Sequence, residues 1–286
     1  MIPPDTLNML SNPTALIARI SEALHARASQ ASLFAAAAAD LSATSAVILL
    51  FGRCGPGEPR PDDVCLILNK RSARVRQPGD LCCPGGSVSP RFDYWAARVL
   101  ALPGSPLARW PYWRSWRRQR PLEARWLGLY CATALREAFE EMRLNPFRVR
   151  LLGPLPHQRV VLFRRLIYPL AAWVPHQHRF KPNWEVERIV RIPLRSLLSP
   201  DNYIRYRLTM PESVGSSGTE VVRDVPGFRW CAAHGMELLW GATFRITMDF
   251  LRLVFGFRPP EPDDLPRVIG QLGESYLSGE RDRPAK

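Results

Sequence analysis

The sequence predicts a layered α/β domain, and three observations predict it. The runs SAVILLF (45–51), VCLILNK (64–70), LLGPL (151–155), VVLF (160–163) and LIYPLAAWV (166–174) are short, apolar and strand-like. VERIVRIPL (186–194) alternates apolar and basic residues as a half-buried strand does. Between the second and third runs, residues 130–144 read as a helix, so that strands surround a central helix. With 286 residues and 46% hydrophobic content, the chain can fill a sizeable core.

The elements follow in order. NPTALIARISEALHARASQ (12–30) spaces Leu16, Ile17, Ile20 and Leu24 as a helix does, with Asn12 as a cap before Pro13. This defines an N-terminal helical extension over 1–40. CGPGEPRPDD separates the first two strands and has the proline, glycine and aspartate content of a turn. Residues 94–130 hold five of the nine tryptophans and seven arginines against one acid, Glu123. Prolines and glycines at 103–106, Pro111 and Pro121 break this stretch into short pieces, so it reads as an insertion between regular elements. Residues 236–255 space their apolar side chains as an amphipathic helix, and 259–286 read as a partly flexible tail. No repeat, signal peptide or membrane span is legible, because Glu237, Arg245, Asp249 and Arg252 interrupt the last apolar run.

The formal net charge is +13, and only Lys70, Lys181 and Lys286 among the 39 basic residues are lysines. Arginine suits planar phosphate recognition, so phosphate-rich partners fit the charge. Cys54, Cys65, Cys82, Cys83, Cys131 and Cys231 form no CxxC pair and no His/Cys ligand spacing. Neither a zinc site nor a disulfide framework is expected, and a reduced, cytoplasmic setting follows. His176 and His178 flank one residue, without a third ligand at suitable spacing.

The most pointed feature is LREAFEEMRL, 135–144. On a helix Glu137, Glu140 and Glu141 are related as i, i+3 and i+4 and lie on one face. Two readings stand side by side. The face is either solvated, with Arg136 bridging to Glu140, or it holds a divalent cation such as Mg2+ or Mn2+, which prefers hard oxygen ligands. Upstream, CCPGGSV (82–88) puts Gly85 and Gly86 after a strand, where the backbone can approach a ligand closely.

Together, this glycine loop and 136-REAFEEMRL-144 resemble the two ends of the Nudix box of the Nudix hydrolases. The match departs at three places. Phe92 stands at the strict position of the early glutamate, with Asp93 one place later; 42 residues separate Asp93 from Arg136; and Arg143 replaces the helix-ending glycine. Within the family, LILNKRSARVRQPGDLCCPGG (66–86) is similar to the segment that precedes the box in the coenzyme A pyrophosphatase branch, with Arg71, Ser72, Arg76 and Gly79 in place, but Pro78 and Cys83 where histidine and phenylalanine usually stand. NWEVERIVRIPLRSLL (183–198) looks like that branch's Glu-Val strand and Pro-Leu turn, and LLWGATFRI (238–246) like its Trp-Gly-x-Thr helix entry.

The resemblance implies a Nudix-type α/β/α sandwich with a mixed sheet over 41–258, its box split by the 94–130 insertion. It implies hydrolysis of a diphosphate linkage with Mg2+ or Mn2+. Glu137, Glu140, Glu141 and the backbone at Gly86 would hold the metal, and one of the glutamates, or Glu185, would orient or deprotonate water. Arg136 would be a structural salt bridge; Gly85, Arg71, Arg74 and Arg76 would meet substrate phosphates. The expected substrate is coenzyme A or an acyl derivative, cleaved to adenosine 3′,5′-bisphosphate and a 4′-phosphopantetheine. Another nucleoside diphosphate derivative, an RNA cap, or nucleotide or RNA binding without catalysis are the alternatives. For the insertion the open readings are a lid, a base-stacking surface, a contact with membrane or a second subunit in a homodimer, and burial against the host domain.

Overall fold

The computed structural model describes residues 9–34, 40–55, 60–160, 165–177, 179–210, 221–232, 235–273 and 276. Its centre is strand β1 (Thr44–Arg53), buried along all but its last residue. Side chains alternate across a strand, so both faces of β1 need a cover. Ala46, Ile48 and Leu50 belong to one core, and Val47, Leu49 and Phe51 to another.

β1 lies between β2 (Val64–Arg71), to which it is antiparallel, and β7 (Arg165–Trp173), to which it is parallel. The path continues to β3 (Leu81–Cys82) on one side and β5 (Arg150–Pro154) on the other. Short β4 (Gly85–Ser87) also pairs with β1, β6 (Gln158–Val160) with β7, and β8 (Val186–Pro193) with β2. One face of this mixed sheet carries α4 (Pro121–Met142), which contributes Leu127, Leu135 and Ala138. The other carries α1 (Pro13–Gln30) through Leu16, Ile20 and Leu24, and α5 (Gly241–Phe255) through Phe244, Phe250 and Val254. The result is an α/β/α sandwich, as expected. Asn12 caps α1 by accepting from Ala15 N–H at 3.2 Å.

Several expectations need correction. The glutamate-bearing helix does not begin near 130. It begins at Pro121, the residue read as a breaker, because proline at the first helical position forfeits only an N–H that has no intrahelical partner. The insertion is likewise more regular than expected. Pro90 opens α2 (Pro90–Leu100), α3 (Trp113–Gln119) follows, and 121–130 are the first half of α4 itself. Trp110, Trp113 and Trp116 are buried in the core beneath α4, which realises the burial reading for these three; Trp95 is exposed.

The last helix starts at Gly241 and not at 236. Residues 235–239 form β11 (Gly235–Leu239), whose partner is β10 (Val221–Ala232). A second sheet results, ordered β11, β10, β9 (Tyr203–Met210) and β12 (Arg267–Gln271). Part of the expected tail is therefore a strand, parallel to β9.

Cys54 and Cys65 form a disulfide, with Cα atoms 5.1 Å apart. No disulfide was expected, because the pairing depends on hairpin register. Cys65 stands opposite Gly52, two residues before Cys54, and this register brings the two cysteines together. Residues 161–163 of the VVLF run, His178 and His234 lie outside the described residues.

Candidate functional site

The site forms where the last turns of α4 meet β4 and the end of β2. α4 stops with Arg143 in the left-handed region, φ 57° and ψ 36°. The Arg143 N–H donates to the Phe139 carbonyl at 3.0 Å, and the Leu144 N–H to the Ala138 carbonyl at 3.3 Å. Arginine thus adopts the turn that glycine usually makes, and its guanidinium lies 5.0 Å from the Phe139 ring centroid.

The glycine pair is demanded by close approach. A Cβ on Gly86 would stand 2.5 Å from Cδ of Glu137. Gly85 has φ 145°, and a Cβ there would strike the backbone of β1 at Ala46 and Val47. The glycine loop and the glutamate-bearing helix therefore meet across the intervening segment, and Arg136 Nη2 donates to the Ser87 carbonyl, 49 residues away in sequence, at 3.0 Å.

Arg136 is held mainly by Asp93, from the first turn of α2. Nε and Nη2 reach its two carboxylate oxygens at 2.8 and 3.3 Å. Asp93 is fully buried and also accepts from Thr133 Oγ1 at 2.8 Å and the Ser89 N–H at 2.7 Å. The residue one place off the strict spacing is the one that binds Arg136, since a helix start at Pro90 turns Asp93 inward. Glu137 and Glu140 are secondary partners of Arg136 Nη1, at 3.1 and 3.4 Å.

Glu141 is buried. Its Oε2 accepts from Asn69 Nδ2 at 2.9 Å and from the Gly85 N–H at 3.1 Å. Asn69 sits fully buried in β2, and its own Oδ1 has no hydrogen-bond partner among the described residues. The Glu141 carbonyl accepts from the Asn183 N–H at 2.8 Å, and Asn183 Oδ1 accepts from the Glu185 N–H at 2.9 Å, which ties the Glu185 turn to the helix end. Asn69 and Asn183 were not singled out in the sequence. Asn69 had a signal, a lone amide inside an apolar strand; Asn183 had none.

Burial pushes the Glu141 carboxyl up to about 8, and the charges of Glu137 and Glu185 add to the rise while the Gly85 N–H and Arg71 oppose it. Glu137 is raised too, first by burial and then by Glu140, against the pull of Arg136. Arg71 belongs to this field. Its Nε donates to the Arg76 carbonyl at 2.7 Å, while Arg74 and Arg76 are exposed on the loop after β2. That loop is tied down by Tyr276, whose hydroxyl donates to Asp80; Trp240 Nε1 donates to the same carboxylate at 3.1 Å. Burial raises Asp80 to about 6 against these two hydrogen bonds.

Among the described residues no three His, Cys, Asp or Glu side chains stand grouped as a metal site. The donor set nevertheless suits a hard divalent cation: a buried carboxylate held by neutral N–H groups, with the carboxylates of Glu137 and Glu185 in its field. Gathering Glu137 and Glu140 onto one ion requires them to leave Arg136, which would keep Asp93 and the Ser87 carbonyl as partners.

A search of family models finds no match, and no curated protein matches the chain. Solved structures with a similar fold do match. They include a C. elegans Ap4A hydrolase (12% identity, 55% of this chain and 83% of that one, TM-score 0.33). A Nudix hydrolase from Alicyclobacillus acidocaldarius has 16% identity over 56% and 82% of the two chains, TM-score 0.34. The Nudix domain of Shewanella oneidensis NrtR, complexed with ADP ribose, has 14% identity over 57% and 79%, TM-score 0.32.

Proposed function

We propose that the chain is a Nudix-type pyrophosphohydrolase that cleaves a diphosphate linkage with Mg2+ or Mn2+ held at Glu137, Glu140 and Glu141. One observation carries the reading: the Gly85 N–H donates to the Glu141 carboxylate at 3.1 Å, and Gly86 lies so close to Glu137 that a Cβ there would meet its carboxylate at 2.5 Å. A bound divalent cation would offset the charge of the diphosphate and draw electron density from the phosphorus under attack. The chain's own groups do the rest. Glu141, the most buried of the three helix glutamates, and Glu185, tied to the helix end through Asn183, would orient or deprotonate water. Arg71, within the field of Glu141, serves the diphosphate, while Arg74 and Arg76, exposed on the loop after β2, would meet a more distant phosphate.

This division of labour favours coenzyme A or an acyl derivative, whose 3′-phosphate lies apart from its diphosphate. The second reading is a nucleoside diphosphate derivative without that phosphate, since Arg71 already spends its Nε on the Arg76 carbonyl. A substrate panel with Mg2+ or Mn2+, run on the wild type, Glu140→Gln and Glu141→Gln, separates them. Coenzyme A should yield adenosine 3′,5′-bisphosphate, and each variant should lose about 100-fold or more in rate. Undiminished activity in Glu140→Gln would remove that residue from the metal site, and turnover of another dinucleotide but not coenzyme A would select the second reading.

A further inference from the structure

Outside this site, α2, α3 and the first half of α4 line an open pocket of about 570 Å3. Its wall is chiefly apolar, with Ala97, Ala101, Ala124, Gly128 and Trp113 among the lining residues. A volume of this size and an apolar wall are typical of a small-molecule pocket.

Two features set it apart from a packing defect. The first is charge. Arg98, Arg117 and Arg125 line the cavity on exposed positions, and none has an ion-pair partner among the described residues. The one acid of 94–130, Glu123, is engaged by Arg120 at 3.3 Å. Three guanidiniums around one opening, with no carboxylate to answer them, make a positive rim over an apolar interior. Arg117 additionally stands 6.0 Å from the Trp113 ring centroid.

The second feature is Gly128. Glycine inside a helix is unfavourable relative to alanine, and a reason for it is normally visible. None is present in the packing, because a Cβ there would make only ordinary contacts at 3.7 Å, with Ala97 and Leu107. Gly128 is itself one of the residues that line the pocket. Trp113, 5% exposed, shares the wall, and its indole N–H has no acceptor in the described structure.

We propose that this cavity binds a small amphipathic anion: an alkyl or aryl body in the apolar interior, with a phosphate, sulfonate or carboxylate head against Arg98, Arg117 and Arg125. Gly128 lies nine residues before Glu137, about 13.5 Å along the helix axis, so the site is separate from the glutamate face. The inference does not rest on the hydrolase reading.

The test uses the full chain and dodecyl phosphate below its micelle concentration, followed by calorimetry and tryptophan fluorescence. Saturable one-to-one binding is expected, weakened at least tenfold in Gly128→Leu, which fills the cavity, and in Arg98→Gln combined with Arg125→Gln, which discharges the rim. Inorganic phosphate and dodecyltrimethylammonium should not bind there. The arginine variant changes only exposed side chains and keeps the test decisive if Gly128→Leu fails to fold. Absence of saturable binding, equal binding of the cationic amphiphile, or undiminished binding in the arginine variant would overturn the proposal. So would binding to phosphatidylglycerol vesicles without binding of dodecyl phosphate, which would assign this face to a membrane.

Discussion

Glu141 illustrates what a single buried carboxyl does to the whole chain. An acid raised from 4.5 to about 8 favours folding fully while it is protonated in both states, below its unfolded value. As pH climbs toward 8, the unfolded chain has released the proton and the folded one still holds it, so stability falls. Asp80, raised to about 6, has the same sign but completes its change at lower pH. Metal-free protein should therefore melt at a lower temperature near pH 8.5 than near pH 6.5 in calorimetric scans; Glu141→Gln or added Mg2+ should abolish the difference. Asp93→Asn tests the opposite case, a buried ion pair losing one partner. Leaving Arg136 without its main counter-charge should cost about 3–5 kcal/mol in urea unfolding. The glutamates were legible in the sequence because helical spacing alone puts them on one face. Asp93 was legible only as a misfit, one place off, until Pro90 fixed the helix phase. The links through Asn183 depend on chain segments far apart in sequence and left no pattern to read.

At the scale of elements, the end of α4 sets two small effects against each other. A left-handed non-glycine residue costs about 1–2 kcal/mol, whereas the Arg143–Phe139 contact returns about 0.5–1 kcal/mol at an exposed site. Arg143→Gly removes both but adds freedom to the unfolded chain, so we expect a change within about 0.5 kcal/mol. Arg143→Val keeps the strain and loses the contact, and should destabilise by about 1 kcal/mol or more. Denaturant midpoints of the two variants decide this. Apolar strands of the first sheet were legible because both their faces are buried. The second sheet was not read, although β9, YIRYRLTM, alternates Ile204, Tyr206 and Leu208 with Arg205 and Arg207 as a half-buried strand does; β12 is too short and polar to stand out. The same ambiguity hid the starts of α2 and α4, since proline marks both a break and a beginning.

For the molecule as a whole, the Trp/Arg segment is a wall of the core before it is anything else. Deleting 96–124 would remove Trp110, Trp113 and Trp116 and the opening of α4, so the product should aggregate and not fold as a lidless enzyme. Trp116→Ala should cost about 3–5 kcal/mol and exposed Trp95→Ala less than about 0.5 kcal/mol, measured by thermal unfolding. The disulfide acts on the unfolded chain instead. Closing the loop between Cys54 and Cys65, 11 positions apart, contributes about 3 kcal/mol on chain-entropy grounds, which dithiothreitol should remove.

The parallel pairing at the centre of the sheet has a consequence for synthesis. Ser45 of β1 pairs with Ile167 of β7, 122 positions later, and the whole tryptophan-rich segment lies between them. At about 5–20 residues per second on a ribosome, the inner edge of β1 waits roughly 6–24 s for its neighbour. During that interval the growing chain presents an unpaired apolar strand, so newly made protein should depend on chaperones until residue 173 has emerged, and much less afterwards.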